Sequence, residues 1–244
     1  MRKMIVSDFD NTLYHKGVID KKDIEKIKHF RLEGNIFVIA TGSSYTSFKR
    51  KIEGFNLEYD YLIVNHGTGV YKEDKLIYDE KLDEDILLEL INRYDLSKKE
   101  NYTVIKNTRG NFFSTSKKGL VSPDEKDIAK VHIEFDKDNY EKEVSYLKNK
   151  YKDRLNIYEI LSNYDIELIS SKTSKLKKIE DIIEKEKIDV KNVYTIGDGN
   201  SDYEMIKKYN GYAVENAIKR VKKVAVKTVL SVGELIDDAL KEKL

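Results

Sequence analysis

The stretch "MIVSDFDNTLY", residues 4 to 14, places Asp8 and Asp10 directly after a short apolar run. A continuous apolar run of this length is typical of a strand that is buried on both faces of a sheet. The two aspartates therefore follow the carboxyl end of a predicted strand. From this stretch alone, an ordinary turn is favoured over a functional loop.

The Asp-x-Asp spacing carries little information by itself. The chain contains 22 aspartates, and the spacing recurs at Asp83/Asp85 and at Asp136/Asp138. Both of these pairs lie beside predicted helix starts, where acidic side chains favour the positive end of the helix dipole. We interpret them as structural, so only the pair at positions 8 and 10 remains a candidate for chemistry.

Composition excludes several classes of function. Lys and Arg number 45 against 44 Asp and Glu, and a net charge of +1 gives no global field for nucleic acid or an anionic membrane. The absence of cysteine excludes disulfides, thiolate metal sites and cysteine nucleophiles. No apolar run is long enough for a signal peptide or a membrane span. We expect a soluble cytoplasmic protein with a small-molecule partner, and the oligomeric state stays open.

Strands and helices alternate at the start of the chain. The segment 20–34 predicts an amphipathic helix with Asp20 as N-cap and Gly34 as its stop. Two further apolar runs, "NIFVIA" at 35–40 and "YDYLIV" at 59–64, predict buried strands on either side of a short helix. This alternation predicts an α/β fold with a doubly wound parallel sheet.

The pattern changes near residue 69 and changes back near residue 170. Between them, a hairpin pattern is followed by mixed strands and helices, which is typical of an α+β domain. After them, an amphipathic helix and the strand "NVYTI" restore the first pattern. We predict a core made of residues 1–80 and 169–244, with an α+β domain of residues 81–168 inserted between its halves.

Three polar loops follow the core strands. Asp8 ends the first strand, Thr41 and Gly42 follow the second, and "GDGNSD" at 197–202 follows a later one. In an open parallel sheet these loops share one crevice at the carboxyl edge. Clustered carboxylates repel one another unless a cation sits among them, and hard oxygen ligands favour Mg²⁺. One carboxylate could then attack phosphorus, while a neighbour transfers the proton.

This set of motifs resembles the haloacid dehalogenase superfamily, and within it the Cof-like phosphatases that carry a large type IIB cap. The resemblance extends over almost the whole chain. It rests on four ordered motifs: "DFDNT" at 8–12, "ATGS" at 40–43, "SSKTSKLKKI" at 170–179 and "GDGNSD" at 197–202. Each motif alone is weak, whereas four in order at strand or helix ends are specific.

The resemblance implies a role for each matching position. Asp8 would be the nucleophile and a Mg²⁺ ligand, and Asp10 the general acid and base, with its main-chain carbonyl on the metal. Thr41, Gly42 and Lys175 would bind phosphate. Asp198 and Asp202 would complete the metal site, the latter directly or through water.

The chain departs from the family pattern at two positions. Ser201 stands where the family usually has Asn, so we expect weaker or rearranged support of the metal site. Asn11 stands where Gly is commoner, and the tolerance of Asn for left-handed backbone makes this acceptable.

Some assignments keep an alternative. Lys172 is the fallback for Lys175, and Thr41 could cap the next helix. We interpret His66 as structural or solvated, with the crevice as the alternative, and Arg109 as an exposed turn residue with substrate contact as the alternative. The basic runs at 49–51 and 219–223 predict solvated faces.

The expected function is a Mg²⁺-dependent phosphomonoester phosphatase that acts on small phosphorylated metabolites, sugar phosphates above all, through an aspartyl-phosphate on Asp8. A phosphomutase or phosphotransferase on the same fold is one alternative. A non-catalytic module that binds phosphate or is phosphorylated on Asp is another, although it would not need the acid/base at Asp10.

Overall fold

The computed structural model of the chain describes residues 1–94, 102–106, 112–114, 128–160 and 164–241, and these form two β-sheets with flanking helices. The strands of the first sheet are β1 (Met4–Ser7), β2 (Ile36–Ala40), β3 (Tyr61–Val64), β4 (Gly69–Lys72), β5 (Lys75–Asp79), β11 (Val193–Gly197), β12 (Asn210–Val214) and β13 (Lys227–Val229). Its helices are α1 (Lys21–Leu32), α2 (Tyr45–Lys51), α5 (Lys175–Glu186), α6 (Tyr203–Lys208), α7 (Lys219–Lys222) and α8 (Val232–Lys241).

The first sheet has the order β13-β12-β11-β1-β2-β3-β4-β5. Its strands are parallel from β13 to β3, and the hairpin of β4 and β5 adds an antiparallel edge. The strands β1, β2 and β3 are buried along their whole length, as continuous apolar runs predict for a sheet covered on both faces. The doubly wound α/β fold expected from the sequence is therefore confirmed.

The strand order reverses at β1, which lies between β11 and β2. Ser7, the last residue of β1, is in register with Ile196 on one side and Ile39 on the other. The loops that follow these three strands consequently leave the sheet side by side. Such a switch point opens a crevice at the carboxyl edge of a parallel sheet.

The second sheet is antiparallel and belongs to the inserted α+β domain. Its strands are β6 (Tyr102–Lys106), β7 (Phe112–Ser114), β8 (Ile128–Glu134), β9 (Leu155–Ile160) and β10 (Asp165–Ser170), in the order β7-β6-β8-β10-β9. The helices α3 (Glu84–Tyr94) and α4 (Lys137–Lys150) accompany it. Apolar side chains such as Ile86, Val131 and Leu147 form a hydrophobic core separate from that of the first sheet.

Most local predictions agree with these elements. Asp20 caps α1 by accepting a hydrogen bond from the Lys22 amide at 2.8 Å, and the chain leaves the helix through Gly34 with a φ of +83°. The expected boundary between residues 168 and 169 falls inside β10, which continues to Ser170. The short elements α7 and β13 were not predicted, because their few residues give too little periodicity to detect. None of the helices described has the length and apolar character required to span a bilayer.

Gly67 allows the turn after β3 to pack against the start of α5. Its φ is +112°, and a Cβ atom at this position would lie 2.4 Å from the main-chain carbon of Ser174. Thr173 fixes the same contact by donating a hydrogen bond from its hydroxyl to the Gly67 carbonyl at 2.7 Å. The absence of a side chain at residue 67 therefore determines where the first turn of α5 lies.

We expect the substitution Gly67→Ala to lower the free energy of unfolding by about 3 kcal/mol, which combines a left-handed backbone penalty with a steric clash. Gly34→Ala is the matched control, because Gly34 also has a positive φ but a Cβ atom added there would meet no atom within 4 Å. The control should cost about 1 kcal/mol. Urea denaturation of both variants measures the difference, and equal losses would contradict the close-packing explanation.

Candidate active site

Lys175 connects two of the three polar loops at the carboxyl edge of the first sheet. It is the first residue of α5, and its Nζ donates hydrogen bonds to Asp8 Oδ1 at 2.7 Å and to Asp202 Oδ1 at 2.8 Å. A cation at the positive end of a helix is unfavourable unless anions compensate it, and these two carboxylates do so. The lysine and both aspartates are buried.

The electrostatics of this group reflect its burial. Burial raises the pKa of Asp8 well above its usual range, and the neighbouring Asp202 raises it further. Burial and Asp202 also raise the pKa of Asp198, to about 6. For Lys175, burial alone would lower the pKa, but Asp202 and Asp8 outweigh it and the pKa is raised. The site therefore contains more negative charge than its one lysine neutralises.

Asp202 organises the loop that follows β11. Its Oδ2 accepts hydrogen bonds from the amides of Asp198 and Gly199 at 3.1 and 3.0 Å, while its Oδ1 accepts from Lys175. The hydroxyl of Ser201 also donates to Oδ1, at 3.4 Å. Ser201 thus supports Asp202 with one long hydrogen bond, so the residue that replaces the usual Asn still contacts the site.

Asp10 belongs to a second group of contacts at the same edge. Ser43 and Thr41 donate hydroxyl hydrogen bonds to its Oδ2 at 2.8 and 3.2 Å, and Lys51 forms an ion pair with its Oδ1. The aspartate loop then turns through Asn11, whose φ of 63° is the left-handed conformation expected there. These partners fix the side chain of Asp10, which lines the crevice.

The carboxylates fit a divalent cation. One carboxylate oxygen from each of Asp8, Asp198 and Asp202 lies within 4.8 Å of the others. Hard oxygen donors of this kind suit Mg²⁺. Burial and repulsion by Asp202 raise the pKa of Asp8 and of Asp198, and a bound cation would offset both effects. Of the predicted ligands, the side chain of Asp10 is not part of this cluster, which leaves its main-chain carbonyl as its possible contribution.

A cavity of about 380 Å³ opens above these residues. Core residues form one side of it, among them Asp8, Asp10 and Asp198. The inserted domain contributes Lys130 from β8 and Glu167 from β10 to the same lining. The two domains therefore enclose the crevice together.

The structure resolves several alternatives left by the sequence. Lys175 contacts Asp8, whereas Lys172 is exposed and pairs with Asp83. Ser44 caps α2 by accepting from the Ser47 amide at 3.2 Å, so Thr41 is not the N-cap. Arg109 lies outside the described residues.

His66 combines a structural contact with the crevice position given as its alternative, and one basic run differs from its preferred interpretation. His66 is buried and lines the cavity, where its Nε2 lies 2.5 Å from Glu167 Oε2. The run at 49–51 is not simply solvated, because Lys51 pairs with Asp10. The four cations of the run at 219–223 are exposed, as predicted.

Lys130 and Glu167 were missed as candidates. Both interrupt otherwise apolar strands, "IAKVHIE" at 128–134 and "DIELIS" at 165–170, and both are buried. A charged residue within a buried strand requires a partner, and this was a signal in the sequence that could have identified the pair.

These features define a class of α/β proteins that combine an acidic crevice at the switch point of a parallel sheet with an inserted domain. The family of haloacid dehalogenase-like hydrolases matches residues 5–117 and 92–234. The chain belongs to this family, as the resemblance implied.

Individual relatives agree with this assignment. A protein of Mycoplasma capricolum without an assigned function is 28% identical over 235 residues, which cover 86% of this chain and 88% of the relative. A solved structure from Plasmodium vivax, described as a HAD/COF-like hydrolase, has a TM-score of 0.80 and 19% identity, covering 99% of this chain and 96% of its own. A subclass IIB sugar phosphatase has a TM-score of 0.76 and 19% identity, with 97% and 98% coverage. These structures share the fold with the chain.

Proposed function

We propose that this protein is a Mg²⁺-dependent phosphomonoester phosphatase that forms an aspartyl-phosphate on Asp8. One observation carries the proposal: the buried Lys175 bridges Asp8 and Asp202 at the switch point of the sheet, beside Asp198. A nucleophilic carboxylate, a fixed cation and a set of metal-ligating oxygens are thereby concentrated at one edge. This combination suits transfer of a phosphoryl group.

The first proposed step transfers the phosphoryl group to the enzyme. Asp8 Oδ attacks phosphorus, and the bond between phosphorus and the leaving-group oxygen breaks. Asp10 donates a proton to that oxygen, which requires Asp10 to be protonated at this stage. Thr41, Gly42 and Lys175 bind the phosphoryl oxygens, whose charge needs fixed donors during the transfer.

The second proposed step restores the enzyme. Asp10, now a carboxylate, takes a proton from water while the water oxygen attacks phosphorus. The bond between phosphorus and Asp8 breaks, which releases inorganic phosphate and regenerates the Asp8 carboxylate. The contacts of Asp10 with Ser43, Thr41 and Lys51 orient it for both proton transfers.

The proposed metal site consists of the carboxylates of Asp8 and Asp198 and the main-chain carbonyl of Asp10. Asp202 adds negative charge beside them while its own oxygens hold Lys175 and the loop amides. When bound, Mg²⁺ would neutralise the clustered carboxylates and withdraw charge from the phosphoryl oxygens.

Small phosphorylated metabolites are the proposed substrates, with sugar phosphates first among them. The cavity of about 380 Å³ is of a size that accepts a small ester, and its lining is rich in hydroxyl and charged side chains. The structural neighbour described as a sugar phosphatase supports the same choice. In the proposed division, residues 1–80 and those from 171 onward form the core, and residues 81–170 form a cap that excludes water and contacts the leaving group.

Release of inorganic phosphate from a panel of phosphomonoesters, with Mg²⁺ and with EDTA, tests the proposal. We expect release from sugar phosphates with Mg²⁺ and a loss of at least about 100-fold with EDTA, because the carboxylates then lack a counter-cation. A folded protein that binds Mg²⁺ but releases phosphate from none of the esters would contradict hydrolysis. Transfer to an added sugar hydroxyl would then identify a phosphotransferase.

A further inference from the structure

The loop of Thr41, Gly42 and Ser43 is held by the carbonyl oxygens of all three residues. The amide of His66 donates to the Thr41 carbonyl at 3.1 Å, and the amide of Asn65 donates to the Ser43 carbonyl at 3.0 Å. The remaining carbonyl, that of Gly42, accepts from Lys130 Nζ at 2.8 Å. Two of these donors belong to the core, whereas the third comes from the inserted domain.

Lys130 belongs to a buried charged group between the two domains. We call Lys130, Glu167 and His66 the junction cluster. Lys130 is 2% exposed and pairs with Glu167 Oε1, while the other carboxylate oxygen of Glu167 contacts His66. Burial raises the pKa of Glu167, but Lys130 and His66 outweigh this and hold the pKa well below its usual range. Glu167 is therefore an anion that holds the lysine in place.

The atoms around Gly42 leave no room for a side chain at this position. A Cβ atom on Gly42 would lie 2.5 Å from Cε1 of the His66 ring. The same ring also contacts the inserted domain, where Tyr158 of β9 stacks on it with the centroids 4.2 Å apart. The 41–43 loop, His66 and the inserted domain thus pack against one another.

The same loop orients the proposed acid/base. Thr41 and Ser43, the neighbours of Gly42, donate their hydroxyl hydrogen bonds to Asp10 Oδ2. A displacement of the Gly42 peptide moves both residues, since they are bonded to it covalently. The 41–43 loop therefore links the Asp10 carboxylate to Lys130.

We propose that Lys130 is a positioning residue. When the inserted domain lies against the core, Lys130 fixes the position of the 41–43 loop and, through it, the position of the Asp10 carboxylate. The proposal rests on the proposed function, since it concerns proton transfer by Asp10. In this role Lys130, although it lines the cavity, acts through the loop whose Gly42 carbonyl it holds. Its removal should lower kcat for every ester by a similar factor and leave KM nearly unchanged.

Kinetics of Lys130→Met test this role with methyl phosphate, an ester whose leaving group is small, and with glucose 6-phosphate. We expect kcat to fall roughly 100-fold for both, in line with the cost of a small misplacement of reacting groups. Lys148→Met is the matched control, because Lys148 is an exposed lysine of the same domain that pairs with Glu159. Its kcat should be unchanged. A loss confined to KM for glucose 6-phosphate would overturn the proposal and make Lys130 a substrate contact.

A second measurement does not depend on activity. Hydrogen exchange of the amides of residues 41–44 should be at least about tenfold faster in Lys130→Met than in the wild type, with unchanged exchange in β12. If the single variant does not fold, Lys130→Met combined with Glu167→Gln balances the buried charge and is measured in its place. Unchanged exchange at residues 41–44 would overturn the proposal. A wild type that releases no phosphate would instead reject the proposed function and leave the exchange result valid.

Discussion

Substitution of Asp8 by asparagine is expected to lower the rate of phosphate release by roughly 10⁴-fold, the scale of loss when a nucleophile is removed. The amide introduced by Asp8→Asn has no anionic oxygen to attack phosphorus, so no aspartyl-phosphate forms. The remaining phosphate contacts, including that of Lys175, would still bind the ester. We therefore expect the loss to lie in kcat more than in KM.

The fold should tolerate this change. Asp8 is buried beside Asp202 and Asp198, and its raised pKa reflects the cost of this charge. Asparagine keeps an oxygen that can accept the hydrogen bond from Lys175 while it removes one of the clustered negative charges. In EDTA, the variant should be at least as resistant to urea as the wild type.

Asp136→Asn is the matched control for this experiment. Asp136 begins another Asp-x-Asp pair and occupies the N-cap position of α4, where asparagine is an equally good residue. Its rate of phosphate release should equal that of the wild type. If Asp8→Asn kept more than about a tenth of the activity while folded, the covalent mechanism on Asp8 would be wrong.

The fold could be predicted from the sequence because its main elements are locally consistent. The continuous apolar runs of β1, β2 and β3 are buried along their length, and Asp20 caps α1 as its position before the helix indicates. The predicted boundary between residues 168 and 169 falls within β10, because the apolar pattern of a strand does not show which sheet it joins.

The predicted site residues come together because strand register aligns the loops that carry them. Ser7 pairs with Ile39 and with Ile196, so the residues that follow each strand are neighbours in space. Sequence reasoning needed only the order of strands and motifs to bring Asp8, Thr41 and Asp198 to one edge.

The contacts that were missed depend on side-chain reach between elements distant in sequence. Lys51 returns from the end of α2 to Asp10, and Lys130 crosses from the inserted domain to Gly42. Neither contact follows from periodicity, because a long flexible side chain can reach a polar partner from many backbone positions. The burial of a charge in an apolar strand indicated that Lys130 has a partner, but not which one.

Lys175→Met should have the largest combined effect on stability and activity. The substitution leaves Asp8 and Asp202 buried without their common cation, and loss of one partner from a buried ion pair costs about 3–5 kcal/mol. It also removes a donor to the phosphoryl oxygens, for which we expect a further loss of roughly 10²–10³-fold in kcat.

Addition of Mg²⁺ separates these two effects. A cation bound by the carboxylates would compensate part of the missing positive charge, so the stability of Lys175→Met should rise with Mg²⁺ concentration more steeply than that of the wild type. The kcat should not recover, because a cation at the carboxylates does not replace the lysine as a donor. Urea denaturation and phosphate release, each measured over a Mg²⁺ titration, give the two responses.

Lys172→Met provides the control, because both lysines lie in the same basic stretch. The side chain of Lys172 is 61% exposed against 2% for Lys175, and it pairs with Asp83 at the surface. Loss of such a surface pair changes stability by about 0–1 kcal/mol, and the activity should be unaffected. If Lys172→Met were inactive and Lys175→Met active, the motif register would be wrong, and Lys172 would be the phosphate ligand. An active Lys172→Met and an inactive, destabilised Lys175→Met would establish that the buried Lys175 serves both the fold and the reaction.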